Sequence, residues 1–206
     1  MIKILSVSGS PIKDGSTEIL LDEVAHALEG SLTEQAAEIT TVRLAALTFI
    51  PCQACGKAPT PKFCFYDDSL TSVYTKLAEC DCLLFGSPLY FDSVSAQAKS
   101  FIDRCNCFRP PDFEHRDPEH EFIKLLHRKR PGAMILVGGS DSWYEGARKT
   151  IAGFFKWVEV VNEGVIIFNK DVDFSQTGAV RNEPAILQQA RALGQHLATK
   201  VLKHET

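Results

Sequence analysis

The chain has 206 residues, 22 Lys and Arg against 26 Asp and Glu, and 45% hydrophobic residues. That length allows a substantial core, and the mildly acidic balance, with no basic run or aromatic-basic stripe, argues against a nucleic-acid partner and for a small molecule. No apolar run approaches the ~20 residues of a membrane span, and the opening run is too soon interrupted by Gly9 and Pro11 for a secretory core, so a cytoplasmic protein is expected.

Residues 2–7 are aliphatic and β-branched and stop at Gly, Ser and Pro, which predicts a buried strand entering a loop. From Ser16 onward Ile19, Leu20, Val24, Ala27 and Leu28 recur at helical spacing, with Ser16 or Thr17 placed to cap the helix. The loop at 8–17 thus joins a strand's C-terminal end to a helix N-terminus, where unpaired N–H groups favour an anion. Its residues Ser8, Ser10, Gly15, Ser16 and Thr17 form the candidate cradle. A triphosphate loop is excluded, because Gly9 to Gly15 is one residue too long and Ser16 stands where Lys is needed. The dinucleotide fingerprint is absent too, with Pro at 11 and Ile at 12. A terminal monophosphate remains.

Residues 38–43 are predicted as a second strand. The Pro-rich, Cys-bearing segment at 50–66 is predicted as an ordered loop. Asp67 to Ser69 opens a helix carrying Leu70, Val73, Tyr74 and Leu77, and residues 82–86 form the third strand, running into Ser87-Pro-Leu-Tyr-Phe91. Residues 94–105 follow as a helix, then a charged excursion at 108–130. The fourth strand at 133–137 ends in Gly138-Gly-Ser140, and the fifth spans 164–168. A helix at 144–158 separates them, and one at 183–202 closes the chain. This regular alternation predicts one domain of the α/β class. It is a doubly wound, five-stranded parallel sheet of order 2-1-3-4-5 with helices on both faces.

Ligands of such sheets lie beyond the C-terminal strand ends, where the winding reverses between the first and third strands. The polar loop at 8–17 would face Pro88, Leu89, Tyr90 and Phe91, which suit a flat ring, and Gly139 and Ser140 would approach from the other side.

Together, Ser8-Gly-Ser-Pro11 with Gly15-Ser-Thr17, Gly86-Ser-Pro-Leu-Tyr-Phe91 and the stretch from Ser95 to Arg104 resemble the flavodoxin-like NAD(P)H-dependent FMN reductases, in particular their iron-sulfur flavoprotein branch. The resemblance implies FMN as cofactor, NAD(P)H as co-substrate and a homodimer or homotetramer. It places Ser10, Ser16 and Thr17 at the FMN phosphate and Pro88, Leu89, Tyr90 and Phe91 at the isoalloxazine. Two departures stand out. Ile12 occupies a position that is often basic in the family, leaving phosphate neutralisation to Lys13 or to amides alone, and the loop after Gly139 is poorer in glycine.

That branch carries a C-x2-C-x2-C-x5-C motif, which this chain matches at Cys52, Cys55 and Cys64 but not at Ala58. A four-cysteine cluster is therefore one thiolate short; three thiolates could hold a labile cluster, a zinc with an outside ligand, or nothing, and the empty site with no metal is the expectation. Cys80, Cys82, Cys105 and Cys107 read as small buried hydrophobes, and His115, His120 and His127 as part of a solvated charged face. The expected function is an FMN-dependent NAD(P)H oxidoreductase that delivers electrons to a quinone, a flavin or a redox protein. No side chain is required as acid, base or nucleophile. A flavodoxin-type electron carrier and a thiol-based redox sensor stay open as alternatives.

Overall fold

The structure is a computed structural model that describes residues 1–33, 35–57, 63–109, 125–171 and 177–204. Five parallel strands form its centre in the order β2 (Ala37–Arg43), β1 (Ile2–Ser8), β3 (Cys82–Tyr90), β5 (Arg130–Gly138) and β6 (Val160–Asn169). A short β4 (Ser93–Val94) turns back antiparallel on the end of β3. Counting only the parallel strands, this is the expected doubly wound order.

The central strands are covered on both faces, which explains their near-continuous apolar runs. Alternate residues point to opposite layers. Ile2, Ile4, Leu84, Ala133 and Ile135 meet α1 (Ser16–Ser31) and α5 (Pro184–His204). Leu5, Val7, Leu83, Phe85, Met134 and Leu136 meet α2 (Thr71–Glu79), α3 (Ala96–Arg104) and α4 (Glu145–Trp157). Helices α1 and α5 touch backbone to backbone at Gly194, where a Cβ would lie 2.4 Å from the Val24 carbonyl oxygen.

Several boundaries differ from the sequence-based expectation. β3 continues through Pro88 to Tyr90, because Ser87 and Pro88 still pair with Leu136 and Val137 of β5; the segment expected to face a ring is thus strand and hairpin, not loop. Val94 belongs to that hairpin, so α3 starts at Ala96 with Ser95 as its N-cap, accepting from the Ala98 N–H. Cys105 lies in a 3-10 turn after α3. Helix α1 has Gly15 as N-cap and no side-chain cap at all, contrary to the role expected of Ser16 or Thr17. Ala58, His115 and His120 lie outside the described residues, as does most of the 108–130 excursion; His127 is exposed.

Candidate functional site

The winding reverses between β1 and β3: the chain leaves β1 through α1 on one face and leaves β3 through α3 on the other. In folds of this kind ligands bind in the crevice beyond the strand ends at that point. The backbone there is tightly fixed. The Gly9 N–H donates to the Gly86 carbonyl at 2.8 Å, and the Ser95 hydroxyl donates to the Gly9 carbonyl at 2.6 Å. A Cβ on Gly9 would lie 2.7 Å from that of Ala98, so this close approach requires glycine.

The loop hydroxyls divide into two groups. Ser8 is buried; its Oγ accepts from the Ser10 N–H at 3.3 Å and reaches Glu18 Oε1 at 3.4 Å, so it builds the loop from inside. Ser10 makes a local turn with the N–H and C=O of Ile12. Ser16 Oγ accepts from the Val180 N–H at 3.3 Å, and Thr17 is buried with its methyl group against Gly86. Gly15 is buried and Lys13 exposed. With no side chain capping α1, its first N–H groups face the loop and supply the donors an anion needs.

Two charged residues at this loop carried no sequence signal. Glu18, in the first turn of α1, is buried; Oε2 accepts from the Asp14 N–H at 2.9 Å and Oε1 from Arg43 Nε at 2.5 Å. Glu18 thereby holds Asp14 in its left-handed conformation (φ 58°), and Arg43 at the end of β2 balances the carboxylate.

On the other side of the crevice Leu89 is buried, Pro88 half-buried, and Tyr90 and Phe91 exposed. Phe91 and Asp92 both have positive φ, forming the tight turn into β4. Gly139 is half-buried and Ser140 exposed. Asp171 after β6 accepts from both the N–H and the hydroxyl of Ser140. Those two hydrogen bonds hold its carboxyl below the usual range. Asn169 donates to the Ser142 carbonyl, and the Trp143 N–H donates to Asp92. Ile12, Tyr90, Phe91 and Trp143 leave an exposed apolar rim on these loops.

A second concavity lies at the cysteine loop. Cys52, Cys55 and Cys64 line a cavity of about 370 Å³ together with Lys57, Arg104 and, from the 3-10 turn after α3, Cys107. Cys107 is thus half-buried in this wall, correcting the expectation of a plain core thiol, whereas Cys80, Cys82 and Cys105 are buried as expected. Burial, and next the nearby Cys64, raise the Cys107 thiol pKa, against the opposing pull of Arg104.

A family model of NADPH-dependent FMN reductases matches residues 2–171. The chain belongs to this family. Family and fold together make it an FMN-dependent oxidoreductase. Relatives of this FMN reductase include an iron-sulfur flavoprotein of Methanocaldococcus jannaschii, 27% identical over 97% of both chains. Another from the same organism is 30% identical over 79% of this chain and 73% of its own. Among solved structures an azoreductase superposes with a TM-score of 0.63 at 14% identity, covering 96% of this reductase and 99% of that chain. A flavodoxin from the domain Archaea gives 0.56 at 14%, covering 97% and 99%. At such identities the shared property is the fold. The residues present fit FMN on physical grounds: an uncapped helix end suits a dianionic phosphate, an exposed apolar rim suits a ring, and the buried Glu18 carboxylate beside the loop is neutralised by Arg43.

Proposed function

We propose that this reductase takes electrons from NADH or NADPH and delivers them, through FMN, to a quinone, a flavin or a redox protein. The observation that carries the reading is the α1 N-terminus, which begins at a glycine and has no side-chain cap beside a hydroxyl-bearing loop. When bound, FMN supplies the redox chemistry, accepting hydride from the pyridine nucleotide and releasing electrons to the acceptor.

The residues around it bind and orient. Ser10, Ser16 and Thr17, with the N–H groups that open α1, hold the phosphate, and Ser8 and Gly15 shape the loop around it. Lys13, exposed at the tip, adds a screened positive charge. Pro88, Leu89, Tyr90 and Phe91 would contact the isoalloxazine, and Gly139 and Ser140 would approach it from the other side, where a missing side chain permits close approach. The apolar rim suits a flat nicotinamide or quinone stacking on the ring. No titratable side chain is needed for hydride transfer, since the flavin itself carries that chemistry. A homodimer or homotetramer would cover this rim.

The relatives named iron-sulfur flavoproteins bear on a second group. In this chain an iron-sulfur group would fall at the cysteine cavity. The flavin reading is tested by a visible spectrum before and after anaerobic NADPH, then by steady-state turnover with a quinone. Flavin bleaching followed by sustained turnover is expected; a flavin that only dithionite reduces would leave an electron carrier instead.

A further inference from the structure

The three cysteines of the loop do not stand alone, because two independent contacts bring α3 and the turn after it against them. Arg104, the last residue of α3, donates from Nη1 to the Ile50 carbonyl at 2.6 Å and to Asp68 Oδ2 at 2.8 Å, fixing the loop two residues before Cys52. Phe63 and Phe108 pack with ring centroids 4.7 Å apart and their planes tilted by 43°, and these are the neighbours of Cys64 and Cys107. The thiols of Cys64 and Cys107 are thus carried to the same cavity wall by adjacent rings.

Arg104 also bears on what the cavity takes. It is 2% exposed and lines the cavity, yet its Nε and Nη2 have no hydrogen-bond partner among the described residues. A buried guanidinium with orphan donors is costly, and an anion in the cavity would satisfy it. Lys57, over the ring of Phe65, is a further cation in the wall.

We propose that Cys107 replaces the missing loop thiolate, so that Cys52, Cys55, Cys64 and Cys107 hold a [4Fe-4S] cluster beside Arg104. The donor set is four thiols, the number a cube requires, and an assembled cluster with four thiolates is a dianion that matches the orphan guanidinium. Each thiol yields its proton on binding iron, and the resulting thiolate forms the Fe–S bond. In a cube the four sulfurs serve four separate irons, and they stand farther apart than the ligands of one ion. Among the described residues no group of three or more His, Cys, Asp or Glu converges on a single-ion site. Ala58 then removes one ligand without removing the site.

The inference goes beyond the flavin reading, and its test reads iron rather than turnover. Protein prepared anaerobically is reconstituted with equal amounts of ferrous and ferric iron and with sulfide, which together supply the two ferrous and two ferric ions of the dianionic cluster, then assayed for iron, acid-labile sulfide, zinc and released FMN. About four irons and four sulfides per chain are expected in the unmodified protein. Cys107→Ser should fall below about one iron, Cys105→Ala should keep the full complement, and Ala58→Cys combined with Cys107→Ser should regain it. That rescue separates lost ligation from a damaged fold. Unmodified protein without iron, a Cys107→Ser variant with full iron, or one zinc and no sulfide per chain would each overturn the proposal. FMN content in the same samples reports on the flavin site, so the two readings fail separately.

Discussion

Trp143 and Asp92 belong to different loops, and the Trp143 backbone N–H donates to the Asp92 carboxylate at 2.8 Å. The same loops touch again where a Cβ on Gly146 would lie 2.5 Å from the Asp92 carbonyl oxygen. The β3–β4 hairpin and the start of α4 therefore move as one piece, and the ring-facing wall is shaped by a bond that neither loop makes alone. Asp92→Ala should weaken FMN binding about fivefold, since an exposed hydrogen bond of this kind contributes about 1 kcal/mol. Asp92→Asn retains an acceptor and tolerates the left-handed backbone, so it should bind nearly as the parent does. Fluorescence titration of FMN checks both; equal losses in the two variants would speak against the bridging role.

The phosphate assignment makes a sharper demand. Thr17 packs its methyl group on Gly86, so a change to alanine would confuse packing with hydrogen bonding. Thr17→Val keeps the shape, and with Ser16→Ala it removes both hydroxyls. FMN affinity should fall at least tenfold, because each charge-assisted hydrogen bond is typically worth ~1.5–3 kcal/mol. Riboflavin, which lacks the phosphate, should bind the double variant as well as it binds the parent.

Glu18 sets loop geometry and phosphate electrostatics against each other. Removing its charge by Glu18→Gln leaves Arg43 without its counter-ion beside the cradle. The unliganded protein should lose about 1–2 kcal/mol, a drop of about 2–8 °C in Tm, as a partly buried ion pair is broken. Phosphate binding should tighten, since Arg43 then faces the ligand. Differential scanning calorimetry and the FMN-to-riboflavin affinity ratio give the two signs; a fall in that ratio would reverse the argument.

The strand order and the loops of the crevice were legible because each strand carries its own apolar run and each loop its Gly, Ser or Pro. What sequence left hidden depends on pairs far apart in the chain. Cys107 comes to the same cavity as Cys64 because the rings of Phe63 and Phe108 pack together and Arg104 reaches back to Ile50. Glu18 looked like an ordinary first-turn acid of α1, and only the end of β2, brought alongside β1, reveals Arg43 as its partner. Pro88 suggested the end of β3, but pairing with Val137 carries that strand further. Ser16 and Thr17 suggested a cap by residue type, whereas Ser16 is already the first helical residue and the N-cap is Gly15.

The last prediction concerns the far edge of the sheet. The pairing of β5 with β6 skips Glu163, matching Gly132 with Asn162 and Ala133 with Gly164, and this bulge re-aims its side chain. The carboxylate meets Lys200 at 2.8 Å and His196 at 3.4 Å, one helical turn apart on α5. Burial pushes the Glu163 carboxyl upward, but the hydrogen bonds and charges of Lys200 and His196 outweigh it and hold the pKa below the usual glutamate range. Because the folded value is the lower one, the unfolded chain binds more protons in the interval between the two. The stabilisation is therefore complete above the unfolded value of about 4.3 and is lost as pH falls through the folded one. Glu163→Gln should be less stable than the parent at pH 7, and the gap between them should close on acidification below about pH 4.5. Urea denaturation across that range, with FMN in excess, isolates this carboxylate because the other acids titrate alike in both proteins. A gap that stays constant with pH would mean that Glu163 contributes through packing and not through its charge.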